Sequence, residues 1–310
     1  MSVLSAPRFH NEDAAFAYVE AMLWPDGPFC PFCGEAERIG KLNGASTRPG
    51  LRKCYSCRKP FTVRIGTIFE ASHCPLRIWL QAIHLLCSSK KGISTRQLQR
   101  TLGVGMKTAW FLGHRIREAM APGAASGPVG GEGQTVEVDE TFVTNSGKTK
   151  KRPDGKRRYQ RIMALVDRDG PSRALSMGAI GSMDGHRGAA DVLYRHLGKG
   201  TRLMSDGGMG FKHPPNAASH ETVIHSQGEY VRGDAHTNTV EGFFSVFKRG
   251  LIGVYQHMDA KHIDRYLAEF SFRRDNRDRL GIHDEERVIR CLGGFRGKRL
   301  TWETTSGSPA

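Results

Sequence analysis

The sequence predicts an α/β protein in which a small cysteine-rich module and a helical region precede a mixed sheet covered by helices. Three observations predict this fold class. Two CxxC pairs lie near the N-terminus, apolar residues recur at helical spacing between residues 76 and 120, and short β-rich runs alternate with helical patterns after residue 133. A segment rich in glycine and proline separates the two halves, and we interpret it as a linker.

These patterns divide the 310 residues into five expected parts. Each boundary follows a change in composition or in hydrophobic periodicity. The expected parts are a zinc ribbon module (1–70), a helical, helix-turn-helix-like region (71–120), the linker (121–133), an α/β catalytic domain (134–280) and a C-terminal extension (281–310).

Charge points to the partner class. The chain has 46 Lys and Arg against 31 Asp and Glu, a net charge of +15. Such a field attracts polyanions, and double-stranded DNA is therefore the expected partner. No apolar run approaches the roughly 20 residues that span a bilayer, and no export signal is visible. We therefore expect no membrane association and a cytoplasmic, nucleoid-associated protein.

The two CxxC pairs predict a structural zinc site. Two residues between cysteines let a tight turn aim both sulfurs at one point, and two such turns supply the four thiolates that Zn²⁺ prefers. Four protein ligands leave no open position for a substrate, so the metal should only hold the module folded. The predicted ligands are Cys30, Cys33, Cys54 and Cys57.

A helix-turn-helix motif is a candidate for the region that follows. Ser94 with Gln97 forms a capping box before a short helix, Gly103 offers the turn, and apolar residues continue at helical spacing. In such a motif the second helix enters the major groove. A plain helical hairpin in a packed bundle is the alternative. The residues expected to contact DNA are Lys107, Thr108, His114 and Arg115.

Three acidic residues stand at the ends of predicted elements in the second half. Asp139 lies in the first β-rich run, Asp206 follows the fourth, and Glu241 lies on a helix predicted from about residue 237 to residue 249. Converging carboxylates are what a pair of Mg²⁺ or Mn²⁺ ions needs to cleave a phosphodiester. A single Asp after a strand is more often a cap, so only the arrangement of all three points to catalysis.

The same region resembles a known family. The motifs are VEVDET from Val136 to Thr141, SDG from Ser205 to Gly207, and EYVRGDAHTNTVEGFFS from Glu229 to Ser245, followed by Lys248-Arg249-Gly250. They resemble bacterial insertion-sequence transposases of the DDE class, ISXO-type subgroup. The resemblance implies a zinc ribbon joined to a ribonuclease H-like catalytic domain. It implies an enzyme that binds terminal inverted repeats, cuts DNA by hydrolysis and transfers the freed 3′ end to target DNA.

The resemblance also implies roles for individual residues. Asp139, Asp206 and Glu241 would hold Mg²⁺, while Lys248 would hold a phosphate of the cleaved strand. Members of the subgroup are described with either Glu or Asn as the third catalytic residue. We favour Glu241 because a carboxylate is the better Mg²⁺ ligand, and Asn238 is the alternative.

A basic run between the first two predicted strands completes the expected DNA surface. Such a loop would neutralise phosphates beside the active site, although a solvated charge run is the alternative. The expected contacts are Lys148, Lys150, Lys151, Arg152, Arg157 and Arg158, with Lys248 and Arg249. We expect a homodimer or higher oligomer on DNA. A non-catalytic regulator derived from a transposase, and a nuclease without strand transfer, are the alternatives.

Overall fold

The computed structural model describes residues 3–123, 126–144, 159–179, 188–207 and 213–298. The chain forms two compact units. The ribbon unit comprises Met1–Ala121 with Asp278–Ala310, and the sheet unit comprises Pro122–Arg277. The basic run predicted to contact DNA, Lys148 to Arg158, lies outside the described residues.

The ribbon unit starts with one helix, a small sheet and three more helices. The three strands pair antiparallel in the order β1-β2-β3. Asn11 caps the first helix by accepting a hydrogen bond from the backbone N–H of Ala14. The elements are α1 (Glu12–Leu23), β1 (Ile39–Lys41), β2 (Arg52–Cys54), β3 (Pro60–Phe61), α2 (Leu76–Ser88), α3 (Thr95–Leu102) and α4 (Met106–Met120).

The helix, turn and helix predicted around Gly103 are present as α3 and α4. Ser94 is the N-cap, and its hydroxyl accepts from the backbone N–H of Gln97 at 3.2 Å. Gly103 ends α3 with φ at +64°, a left-handed conformation that glycine adopts without strain. The polar face of α3 stays exposed while Leu98 and Leu102 are buried, because an amphipathic helix packs only its apolar stripe.

Among the described residues, the main sheet of the sheet unit has five strands in the order β6-β5-β4-β7-β8, and β9 and β10 form a separate antiparallel pair. The first three strands in sequence pair antiparallel, and the last two pair parallel, β7 with β4 and β8 with β7. This topology is the mixed sheet of a ribonuclease H-like domain, as predicted. The elements are β4 (Thr135–Thr144), β5 (Tyr159–Asp167), β6 (Ser172–Ala179), α5 (Ala189–His196), β7 (Thr201–Asp206), β8 (Ala217–Val223), β9 (Val231–Arg232), β10 (Ala235–His236), α6 (Asn238–Gly250) and α7 (Ile263–Asp275).

Helices cover the two faces of this sheet. On one face, Ile162, Ala164 and Val166 of β5 pack with apolar residues of α6 and α7. On the other, Met163 and Leu165 pack with α5. Successive residues of a strand point to opposite faces, so alternate residues of the central strands pack against the helices on alternate faces of the sheet.

Some boundaries differ from the sequence-based expectation. The β-rich run from Thr222 to His225 in the sequence marks only the end of β8, which starts at Ala217 and ends at Val223. It lies at the sheet edge and its first residues are mostly exposed. An edge strand tolerates polar residues and lacks the apolar run that identifies a central strand. Within the segment predicted as a linker, Val129 is buried and bridges to Leu197.

The chain then returns to the ribbon unit, where α8 (Asp284–Gly293) packs against α2 and α1. Gly294 follows this helix, and an added Cβ there would lie 2.2 Å from the carbonyl oxygen of Ala119. Only glycine permits this approach. In the described ranges, no helix is long and apolar enough to cross a membrane.

Candidate active site and zinc centre

Strand pairing brings Asp139 and Asp206 to neighbouring positions. Strands β4 and β7 run parallel, with Val138 opposite Ser205. The next residue on each strand is an aspartate, so the two side chains project from adjacent strands to the same face of the sheet. This face is the one that α6 covers. The chain therefore places two of the three predicted acids side by side.

The environment of Asp139 disfavours its charged form. Burial raises the pKa of Asp139 to about 6, and the nearby negative charges of Asp206 and Glu241 contribute to the rise. A hydrogen bond from the backbone N–H of Glu140 acts in the opposite direction. A carboxylic acid with a raised pKa among other carboxylates is typical of sites that bind a cation or move a proton. Glu241 is close enough to Asp139 for its charge to contribute to this shift.

Glu241 lies in the first turn of α6 and is held by its neighbours. The hydroxyl of Thr237 donates to its carboxylate at 2.8 Å, and Nε2 of His225 lies 3.6 Å from the same oxygen. The His225 ring packs against the ring of Tyr230, with centroids 5.1 Å apart. Glu241 is 46% exposed, so its carboxylate faces solvent while these contacts restrict its rotamer.

The other predicted residues of this helix are also exposed. Asn238 is the first residue of α6, and Lys248 and Arg249 lie in its last turn. Lys248 follows Glu241 by about two helical turns, so both lie on the same side of the helix. The helix therefore presents an acid near its start and two cations near its end.

Glu137 is a residue of this site that sequence reasoning overlooked. It lies two positions before Asp139 on β4, and its side chain is fully buried. Its carboxylate accepts hydrogen bonds from the backbone N–H groups of Thr239 and Val240 at the start of α6. The signal in the sequence is an acid at an inward position of an apolar strand, where a charge requires a partner.

The four cysteines of the ribbon converge as predicted. Their sulfur atoms all lie within 4.8 Å of one another. The closest pairs are Cys30 with Cys57 at 3.5 Å and Cys33 with Cys54 at 3.7 Å. Four sulfurs about 2.3 Å from one zinc ion are separated by roughly this distance. Among the described residues, the three acids do not form so tight a group.

The environment of the cluster favours the thiolate at Cys30 and opposes it at Cys33. Burial opposes ionisation of Cys30, but the backbone N–H groups of Phe32 and Cys33 and the neighbouring thiols outweigh it and lower the pKa of Cys30 to about 7. At Cys33 a hydrogen bond from the backbone N–H of Glu35 favours the thiolate, but burial and the neighbouring thiols outweigh it and raise the pKa to about 12. Zinc binds the thiolate, so the lowered pKa of Cys30 favours metal binding at neutral pH, and the geometry of all four sulfurs suits a structural zinc ion.

The structure corrects the predicted DNA contacts of α4. Lys107 and Thr108 are exposed in its first turn. Arg115, however, is 4% exposed and donates to the backbone carbonyls of Ile68 and Glu70, and His114 is buried. The prediction was wrong for these two residues because α4 is surrounded by other elements beyond its first turns. A guanidinium that two carbonyls hold in the interior does not reach a base.

Comparisons with known proteins agree with this architecture. Residues 129–275 match the family described as ISXO2-like transposase domain, and residues 10–60 match the transposase zinc-ribbon domain. A protein of Halobacterium salinarum, described as an uncharacterized protein in transposable element ISH50, is 27% identical over 292 residues. The alignment covers 86% of this chain and 92% of that protein.

Fold and site together define a class: a ribonuclease H-like domain joined to a zinc ribbon. The two family matches cover more than half of the chain. The sheet unit thus matches an ISXO2-like transposase domain and the N-terminal part matches a transposase zinc-ribbon domain, so the chain combines two domains found in transposases.

Replacing one zinc ligand tests the metal centre. We expect Cys54→Ser to lower the zinc content from one ion per chain to nearly none, because three thiolates bind zinc much less tightly than four. Mass spectrometry of the purified protein measures the metal. Cys74→Ser is the matched control, since Cys74 lies outside the four-cysteine cluster. Full zinc content in the Cys54 variant would contradict the assignment.

Replacing Arg115 tests its structural role. We expect Arg115→Met to lower the free energy of unfolding by about 2 kcal/mol, because two carbonyl acceptors lose a charged donor. Chemical denaturation measures the loss. Lys107→Met, on the exposed first turn of the same helix, should change stability by less than about 0.5 kcal/mol. Equal stability of the two variants would refute the buried role.

The raised pKa of Asp139 predicts a pH-dependent cost. The folded state binds this proton more tightly than the unfolded state, so the carboxyl destabilises the metal-free fold increasingly as the pH rises above 3.8, and fully above about pH 6. Asp139→Asn should therefore raise the free energy of unfolding by about 1 to 2 kcal/mol at about pH 7, after allowance for solvent screening. The gain should disappear as the pH falls towards 3.8, the ordinary value for the carboxyl. Thermal unfolding in a metal chelator measures it, and a gain that is independent of pH would be inconsistent with this cause.

Proposed function

We propose that the chain is an active transposase that binds the terminal inverted repeats of its element, cleaves the DNA strand and transfers the freed 3′ end to target DNA. Asp139, Asp206 and Glu241 form the catalytic site in this proposal. The family matches support the class of enzyme, and the arrangement of the acids supports the catalytic role of these residues.

One observation carries the proposal: the parallel pairing of β4 with β7 sets Asp139 and Asp206 side by side on the face of the sheet that α6, with Glu241, covers. The charges of Asp206 and Glu241 accordingly add to the effect of burial in raising the pKa of Asp139. Gathering three carboxylates costs free energy unless a cation binds among them. A non-catalytic DNA-binding protein would gain nothing from acids where phosphates must approach. An enzyme that recruits divalent cations needs such a cluster.

The donor set fits a hard divalent cation. Mg²⁺ and Mn²⁺ prefer carboxylate oxygens and keep several waters, so a partly exposed cluster with room for water suits them better than a closed cage. Asp139, Asp206 and Glu241 would hold the metal. When bound, the cations would polarise the scissile phosphate and favour ionisation of the attacking water.

The remaining side chains orient the acids and the DNA. The Thr237 hydroxyl and His225 restrict the Glu241 carboxylate, which reduces the reorganisation needed when substrate arrives. Lys248 lies on the same side of α6 and would contact a phosphate of the cleaved strand. Asn238, one turn before Glu241, would bind a phosphate or a water molecule.

The ribbon unit would supply recognition of the element ends. Lys107 and Thr108 are exposed at the start of α4, and Arg96 and Arg100 lie on the exposed face of α3. Lysine and arginine contacts to phosphates position a protein on DNA, and side chains at the start of the second helix contact base edges. Since Arg115 is buried, base contacts from α4 would be limited to its first turns.

A nicking assay tests the catalytic role of the acids. Its substrate is the DNA that flanks the gene on each side, where the element ends would lie. With Mg²⁺ or Mn²⁺, we expect the wild type to nick this DNA and Asp139→Ala or Asp206→Ala to lose more than about 99% of the activity, since each removes a metal ligand. Asp191→Asn, which changes a partly exposed acid of α5, is the control and should stay active. Binding of the same DNA, measured by fluorescence anisotropy, should survive in all variants.

The same assay decides the third residue and the reaction. Glu241→Gln should abolish nicking and Asn238→Ala should only slow it; the reverse order would assign the role to Asn238. Pre-cut ends with a free 3′-hydroxyl should join to a target plasmid. Cleavage without joining would identify a nuclease, and full activity of the Asp139 and Asp206 variants would end the catalytic proposal.

A further inference from the structure

We propose that Glu137 is the positioning residue of this site: its buried carboxylate fixes the start of α6 against β4 and so sets where Glu241 lies relative to Asp139. The inference rests on the proposed catalytic role of these acids. It concerns a residue that would not itself bind metal or DNA.

The contacts of Glu137 are unusually numerous for one carboxylate. One oxygen accepts from the backbone N–H groups of Thr239 at 2.7 Å and Val240 at 3.0 Å. The other accepts from the Thr239 hydroxyl at 2.9 Å and from Nε of Arg168 at 2.8 Å, and Nδ1 of His236 lies 3.1 Å away. All these groups belong to elements distant in sequence from β4. A single strand residue therefore ties the start of α6 to the turn after β5 by hydrogen bonds, and His236 of the strand before α6 lies against the same carboxylate.

Glu137 performs the capping role that the N-cap residue usually performs. The N-cap of α6 is Thr237, yet its side chain makes no cap hydrogen bond to the helix backbone. Its hydroxyl donates to Glu241 instead. The first N–H groups of a helix need acceptors, and a carboxylate at this end is also favoured by the helix dipole. Because Glu137 satisfies these groups, the Thr237 hydroxyl is available to hold Glu241.

A second set of ion pairs fixes the hairpin that leads into α6. Arg168 donates to Asp234 and to the backbone carbonyl of His236 as well as to Glu137. Arg202 of β7 donates to the other oxygen of Asp234 at 2.6 Å. Strands β9 and β10 are each two residues long, so backbone pairing alone anchors them weakly. The arginines connect the hairpin to the strands that carry Asp139 and Asp206.

The path between the two acids is short. Glu137 and Asp139 are two residues apart on the same face of β4, about 7 Å along the strand. Val240, whose N–H Glu137 accepts, directly precedes Glu241. The apolar residues that pack α6 on the sheet are Val240, Phe243, Phe244 and Phe247. Apolar packing is not directional, so it holds the helix on the sheet without fixing its axial position as hydrogen bonds do.

Metal affinity in the full-length protein without DNA tests the proposal. Binding of Mn²⁺, followed by the electron paramagnetic resonance of the free ion, requires no catalytic turnover. We expect Glu137→Gln to weaken Mn²⁺ affinity about tenfold, the usual effect of removing a residue that orients metal ligands. A glutamine offers one carbonyl oxygen in place of two carboxylate oxygens. Its NH₂ group is itself a donor, so it cannot accept the hydrogen bonds that the second oxygen of Glu137 accepts.

Variants of Thr239 test the same contact with less risk to folding. Thr239→Val removes the hydroxyl that donates to Glu137, whereas Thr239→Ser keeps it. We expect the valine variant to bind Mn²⁺ several-fold more weakly and the serine variant to bind like the wild type. Glu269→Gln is the matched control, because Glu269 is also fully buried and paired with an arginine, Arg273, on α7. It should lower the melting temperature without changing Mn²⁺ affinity.

The outcomes separate this inference from the proposed function. If the wild type binds Mn²⁺, Asp139→Ala abolishes binding, and the Glu137 and Thr239 variants bind like the wild type, the positioning role is wrong while the metal site stands. If Glu137→Gln fails to fold, the Thr239 pair decides: equal affinity of the valine and serine variants overturns the proposal. If Asp139→Ala leaves Mn²⁺ binding unchanged, both the metal site and the positioning role are refuted.

Discussion

Repulsion between carboxylates is the constraint on which the sheet unit depends. Asp139 and Asp206 lie on adjacent strands, and Glu241 is near enough to raise the pKa of Asp139 further. Neighbouring and partly buried carboxylates move apart and into solvent unless the backbone holds them, because both desolvation and like charge cost free energy. Parallel pairing of β4 with β7 fixes the first two. The third is fixed by a helix whose start is hydrogen-bonded to the same strand.

The ribbon unit also brings ionisable side chains close together, but these are cysteines rather than carboxylates. Four cysteines converge within 4.8 Å, and the sulfur environment favours the thiolate at Cys30. A three-stranded sheet with strands of two or three residues buries little apolar surface, so a bound metal must contribute much of its stability. Both units therefore gather ionisable side chains whose donor atoms suit a cation. In the ribbon the cation would serve structure, and in the sheet unit it would serve chemistry.

Local patterns in the sequence predicted most of the fold. The capping box at Ser94, the turn at Gly103 and the CxxC spacing each depend on interactions within a few residues. The burial of Arg115 was not predictable in this way, because its acceptors lie more than forty residues earlier in the chain. The role of Glu137 was not predicted for the same reason, because its hydrogen-bond partners on α6 follow about a hundred residues later. Polar contacts between residues far apart in the chain produce no periodic pattern in the sequence. For Glu137 the signal in the sequence is an acidic residue within an apolar strand.

The proposed activity requires a divalent cation bound among Asp139, Asp206 and Glu241. Anomalous diffraction from crystals grown with Mn²⁺ would locate such an ion. We expect an anomalous peak within coordination distance of carboxylate oxygens from both aspartates and from Glu241, absent from crystals of Asp206→Ala. Manganese bound elsewhere in the sheet unit, with these carboxylates uncoordinated at saturating metal, would contradict this expectation.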